Sequence, residues 1–305
     1  MLTIFLAIAP VIAIIMMGYS LRRGNILSIE IWNFNDSLVY WILMPALFFA
    51  KISAADLGGD LGDYAFLLYA GFFAAIFCGW LLGRGIQAPQ ASSLMQGSAR
   101  FNTFIGLAIA EAVYGTKGLQ LAVLGSALLV PVVNVTVVSL MARQLGGGGK
   151  SILIELVKNP LILSICAGVL FNLTGLNEVA VLHEVARILG NAALPIMLLC
   201  VGANLKLRGL SGSRKIIGFS IIGKFLINPI AVIFAALVLN TDPLFIQVAL
   251  IFAALPTGVA SYTLAREMQG DAPLMAAIIT MQTLLSFIIL PLTLLLGQVV
   301  FSWIE

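Results

Sequence analysis

Two stretches of this chain place small polar residues and helix breakers inside otherwise apolar sequence. One reads Arg100-Phe101-Asn102-Thr103-Phe104-Ile105-Gly106, the other Leu255-Pro256-Thr257-Gly258-Val259-Ala260-Ser261. Pro256 lacks an amide donor and its ring clashes with the preceding turn, and Thr257, Gly258 and Ser261 add small polar groups beside that break. A helix interrupted there presents free N–H groups and the positive end of its dipole. Such an end binds an anion, a carboxylate for example, without requiring a basic side chain. The competing reading is that Gly, Ser and Thr only let helices pack closely. It suits any one of these residues alone, but less well two stretches at equivalent places in the chain.

Other candidates are scattered. Asn134 follows Pro131, Asn228 precedes Pro229, and Gln282 follows Thr280. Each either lines a site or bonds a carbonyl freed at a kink; the structural role suits Asn228, and both roles stay open for Asn134 and Gln282. Arg100 and Glu111 are read as interfacial anchors or as substrate or coupling groups, because charges near helix ends snorkel to water. Glu155 and Lys158 look like an interfacial pair, and Lys224 is placed at a segment end.

The elements that hold these residues follow from composition. At 61% hydrophobic and 10% charged, the chain cannot coat a soluble domain, where charged residues make up about a quarter. Lipid must therefore be the solvent for most of its surface. Bilayer-length helices of roughly 20 apolar residues are predicted at Leu2–Leu21, Asn35–Ile52, Tyr64–Leu82, Leu94–Tyr114, Leu119–Met141, Ile152–Leu173, Val185–Leu205, Ile216–Leu239, Leu244–Ala265 and Leu274–Trp303. Alternate connections collect Arg22, Arg23, Arg84, Arg143, Lys150, Lys158, Lys206, Arg208, Arg214, Lys215 and Arg266, eleven cations. The opposite side has three, Lys51, Lys117 and Arg187. The positive-inside rule then puts both termini outside. The first apolar run precedes its charges, Arg22-Arg23, the reverse of a cleaved signal peptide, so it is expected to remain as a span.

The chain also repeats itself at an offset of 150 residues: Pro10 recurs as Pro160, Gly18 as Gly168 and Pro45 as Pro195. Duplicated, interrupted apolar segments point to a secondary transporter and to the place its substrate binds. Pro45 and Pro195 are accordingly candidates for shaping the helices that face the site. Five segments per half make the halves inverted: residues 1–145 form one repeat, 146–151 with its tetraglycine a cytoplasmic linker, and 152–305 the second repeat. Segments 4 and 9 carry the breaks.

Other chemistries find no support. Cys78, Cys166 and Cys200 lie in apolar stretches with no disulfide or zinc spacing, so no metal or cofactor is expected. His183 is the sole histidine; with no reactive constellation at membrane depth, an intramembrane enzyme is not expected. The formal charge of +3 is scattered, and no nucleic-acid partner is expected.

The stretches Phe101-Asn102-Thr103-Phe104-Ile105-Gly106-Leu107, Leu255-Pro256-Thr257-Gly258-Val259 with Ala265-Arg266-Glu267, Leu189-Gly190-Asn191-Ala192-Ala193-Leu194-Pro195 and Asn159-Pro160-Leu161-Ile162 resemble, in their order along the chain, the auxin efflux carrier family. That family includes the PIN-type carriers and bacterial permeases and lies within a wider group with the bile-acid sodium symporters. The resemblance implies an all-α integral membrane fold of ten transmembrane helices, two inverted five-helix repeats with broken crossing helices 4 and 9. It implies substrate contacts at Asn102, Thr103, Pro256 and Thr257, with Gly106, Gly258, Ser261, Asn134 and Gln282 nearby. One departure stands out: Ala108 occupies a position where the family usually has proline. The implied function is elevator-type secondary transport of a small organic anion across a cytoplasmic membrane, as a monomer or a homodimer. The rival is a sodium- or proton-coupled symporter or antiporter of the related fold.

Overall fold

Apolar runs of this length fold as helices because helical hydrogen bonding satisfies every backbone group without water. The computed structural model describes residues 2–55, 61–145, 158–174, 180–205, 213–239 and 241–302. The expected linker, 146–151, and Glu155 lie outside the described residues. Within them the chain forms α1 (Leu2–Arg23), α2 (Ile29–Leu38), α3 (Met44–Ser53), α4 (Leu61–Leu82), α5 (Ala88–Ala99), α6 (Thr103–Leu145), α7 (Pro160–Thr174), α8 (Ala180–Ala203), α9 (Arg214–Ile222), α10 (Asn228–Val238), α11 (Pro243–Ala254), α12 (Ala260–Glu267) and α13 (Ala272–Ser302). Large apolar side chains such as Phe34, Phe77 and Phe234 remain exposed, as expected on a surface that faces lipid.

The expectation of ten transmembrane helices is corrected. Among the described residues seven helices are long and apolar enough to cross a membrane. The difference arises where helices are interrupted or joined. Segments 4 and 5 fall in one apolar stretch, Ala88–Leu145, interrupted at Arg100–Asn102 and bent at Gly115 (φ 62°, ψ −151°). That positive φ is one that only glycine adopts without steric cost. Segment 9 divides into α11 of 12 residues and α12 of 8. Of segment 6 the described part is α7, 15 residues. Counting apolar residues finds hydrophobic length, but not where the backbone leaves the helix.

Prolines reveal a second difference. Val39–Leu43 and Gly223–Ile227 are π turns, joining α2 to α3 and α9 to α10. Each closes on an i→i−5 bond, Met44 N–H to Val39 O and Asn228 N–H to Gly223 O. Pro45 and Pro229 then follow as second residues of α3 and α10. The wider turn takes up a ring that would clash with a regular helix. The device of Pro45 thus recurs at Pro229, whereas Pro195, its sequence counterpart, lies within α8.

The helices pack in two groups. In one, α1 packs on α8 and α3 on α7 and α8, an exchange of partners suggestive of a repeat architecture. Their backbones nearly touch: a Cβ on Gly18 would meet Leu199 O, and one on Gly202 would meet Ile15 O. Asn172 Nδ2 caps the end of α3 by donating to Ser53 O at 3.0 Å and Ala55 O at 2.8 Å. In the other group, α4 packs on α5, α10 and α11, α9 on α5, and α13 on α11 and α12. Tyr64 and Tyr69 tie α4 to α6 by donating to Leu121 O at 3.0 Å and Leu128 O at 3.1 Å. α6 touches both groups.

Candidate functional site

The two breaks meet. Asn102 N–H donates to Pro256 O at 2.8 Å, joining the interruption between α5 and α6 to that between α11 and α12. Pro256 has no N–H of its own, but its carbonyl is left out of the helix ladder and takes this bond. Contact is close enough that a Cβ on Gly258 would come within 2.7 Å of Phe101 O, and one on Gly106 within 2.7 Å of Leu255 Cδ1.

Each break is braced differently. Asn102 Oδ1 accepts from Phe104 N–H at 3.1 Å and Ile105 N–H at 3.3 Å, capping α6 as a side-chain oxygen at a helix start does. Its Nδ2 is buried and has no partner. On the other side Gln282 Oε1 accepts from Thr257 N–H at 2.9 Å, while the Thr257 hydroxyl lies 2.8 Å from the same oxygen and 3.0 Å from Gly97 O. Gln282 Nε2 donates to Gly97 O at 2.8 Å. Thr257 and Gln282 therefore hold the break of α11–α12 against α5. We expect Gln282→Leu to lower thermal stability by about 1–3 kcal/mol, the cost of leaving a buried donor unsatisfied, with a wild-type Tm as the result that excludes the brace.

Beside the breaks lies a cavity of about 980 Å³. Arg100, Phe101, Asn102, Thr103 and Phe104 line it from one break and Gly258, Val259 and Ala260 from the other. Asn134 joins from the second half of α6, and Tyr40 and Trp41 from the first π turn. The cavity thus takes in four of the residues expected at the substrate site, Asn102, Thr103, Gly258 and Asn134. Pro256, Thr257, Gln282, Gly106 and Ser261 are not among its lining residues, and Ser261 Oγ is buried without a partner. Pro45 and Pro195 also stand outside the lining, although Met197 of α8 is part of it.

Several lining residues were not among the expected substrate contacts. Asp36, Asn204 and Glu267 come from three distant segments, and only folding sets Asn204 Nδ2 3.3 Å from Asp36 Oδ2. Asn159 caps α7 through Leu161 N–H at 2.9 Å while lining the cavity. Arg100, read as an interfacial anchor or as a substrate or coupling group, lines the cavity with Nη1 buried and unpaired. Lys224 is a revision, since it is fully buried within the apolar stretch Arg214–Val238 instead of marking a segment end. Among the described residues no three His, Cys, Asp or Glu side chains are grouped to hold a metal ion.

The family described as "Membrane transport protein" matches residues 3–294. The chain belongs to that family. It is a multi-pass membrane protein, a secondary transporter of a small solute. It is 26% identical over 294 residues to an "Uncharacterized transporter" of Methanothermobacter thermautotrophicus, covering 93% of this chain and 95% of that protein. It is 27% identical over 302 residues to a "Putative malonate transporter" of Rhizobium meliloti, covering 92% and 91%. Over 79 residues it is 37% identical to "Probable auxin efflux carrier component 9" of Oryza sativa subsp. japonica, covering 26% of this chain and 18% of that protein. Similarity to the auxin carrier is therefore partial, whereas that to the two microbial transporters is nearly full-length.

Proposed function

We propose that this member of the family carries a small organic anion, a mono- or dicarboxylate, held at the meeting of the two breaks. The observation that supports this most directly is that two residues lining the cavity, Arg100 and Asn102, each keep a buried donor without a partner, Nη1 and Nδ2. Buried donors without acceptors are costly, and a ligand with carboxylate oxygens supplies the missing acceptors along with the countercharge. The printed name of the Rhizobium meliloti relative makes malonate the natural first probe.

Transport follows from where the cavity lies. Its walls come from α2 and α8 on one side and from the break-bearing helices on the other, so sliding one helix group against the other exposes the same donors to each face in turn. This is elevator-type alternating access.

Thermal stability of the purified protein tests the reading, because a ligand stabilises the state it binds, by about 2.7 kcal/mol at a hundredfold excess over Kd. Malonate or another carboxylate is expected to raise Tm, and uncharged malonamide to leave it unchanged. A panel in which no carboxylate shifts Tm, or in which malonamide matches malonate, would rule the anion reading out.

A further inference from the structure

Lys224 lies inside the π turn Gly223–Ile227, with its side chain fully buried and Nζ without a hydrogen-bond partner. A second cavity, about 10 Å³, opens beside it, space on the scale of one water molecule. Its walls come from α4 (Leu68, Phe72), the first break (Ala99, Phe101), α6 (Leu129), α10 (Asn228, Val232) and α11 (Ala249, Phe252, Ala253). Apart from Lys224 none of these side chains titrates; the polar member is Asn228, and Gly71 leaves it room, since a Cβ there would run into Asn228 Oδ1. Arg100, the residue between Ala99 and Phe101, lines the large cavity and not this niche. No Asp or Glu is among the residues lining the niche, and α5, which also packs on this π turn, carries no charged residue.

An ammonium buried without a partner carries a penalty of several kcal/mol, and a leucine or methionine would fill this niche without it. Phe101 is the link to function, because the residue lines both the small niche and the large cavity, whose lining also includes its neighbours Arg100 and Asn102, each with a buried unmet donor. An anion seated there is the nearest countercharge Lys224 could obtain, and in a low-dielectric interior the attraction acts through an intervening ring with little screening. π turns inside helices are also frequent at functional sites, and this one presents the amine at the break.

We propose that Lys224 is the proton-binding group that couples this transporter to proton movement: the amine takes a proton from water when the anion enters the neighbouring cavity and returns it when the anion leaves. The proposal rests on the anion reading above. The balance is simple: one proton adds to Nζ to make the ammonium, so anion and proton cross together.

The test uses the purified full chain in weak buffer with a pH-indicating dye, titrated with malonate above malonate's own range of ionisation. Wild type is expected to take up about one proton per malonate bound, with affinity falling up to about tenfold per pH unit where the proton must be acquired. Lys224→Met and Lys224→Gln are expected to bind malonate with no proton uptake and with pH-independent affinity. Wild-type binding without proton uptake overturns the proposal while leaving the anion reading intact, and needs no variant to be stable. Uptake that persists in either variant overturns it equally. If wild type binds no malonate or other carboxylate, the anion reading falls and this proposal with it.

Discussion

Arg100→Gln is expected to weaken malonate binding about 10- to 100-fold while leaving the protein folded. Arg100 caps the end of α5 immediately before the break, and its Nη1 has no acceptor inside the protein, so losing that nitrogen breaks no internal bond. A hydrogen bond to a charged group contributes about 1.5–3 kcal/mol, and 1.4 kcal/mol is tenfold in affinity. Arg100→Lys should recover only part of the loss, because a lysine ammonium cannot grip a carboxylate with two parallel N–H groups. Equilibrium binding of labelled malonate to the purified variants measures both. Affinity within threefold of wild type in Arg100→Gln would show that the cation contributes to packing or membrane anchoring, and not to the ligand.

The second large effect is expected in the fold. Gly202→Val should remove most of the folded protein, at a cost at or above about 3 kcal/mol, the upper end for overpacking. The obstacle is a backbone: the added Cβ would meet Ile15 O of α1, which cannot turn aside as a flexible side chain can. Gly18→Ala, across the same contact, meets Leu199 O in the same way. Size-exclusion profiles and thermal melts of both variants in detergent read the outcome. A monodisperse Gly202→Val protein with near wild-type Tm would mean that α1 and α8 sit farther apart than described. Gly218, with open space around its Cβ position, is the control; Gly218→Ala should be close to neutral.

Composition and local chemistry announced a good deal. The apolar content required lipid as solvent, and the chain is a membrane transporter. Pro256 and the small residues around it marked an interruption because proline's missing donor is a local property. Asn102 stood out because an amide within an apolar run must find a partner. The number of membrane-crossing helices was beyond the same reasoning, since hydrophobic length is equal for one bent stretch such as Ala88–Leu145 and for two separate helices. The repeat also misled in one respect: Pro45 matches Pro195 by offset, yet shares its π turn with Pro229, because strain at a proline is relieved by whatever the local helix and its neighbours allow.

Thus the sequence by itself determined the solvent, the helical class and, at Pro256, a place where the backbone had to leave the helix, each decided within a few residues. Only the tertiary structure decided that this place touches a second break, through Asn102 and Pro256, that Thr257 and Gln282 brace the break of α11–α12, and that Arg100, Asn102 and Lys224 keep donors no protein group satisfies. The reason is physical. Whether a polar atom finds a partner depends on atoms far away in the chain, and an unmet donor exists only once every neighbour has taken its place.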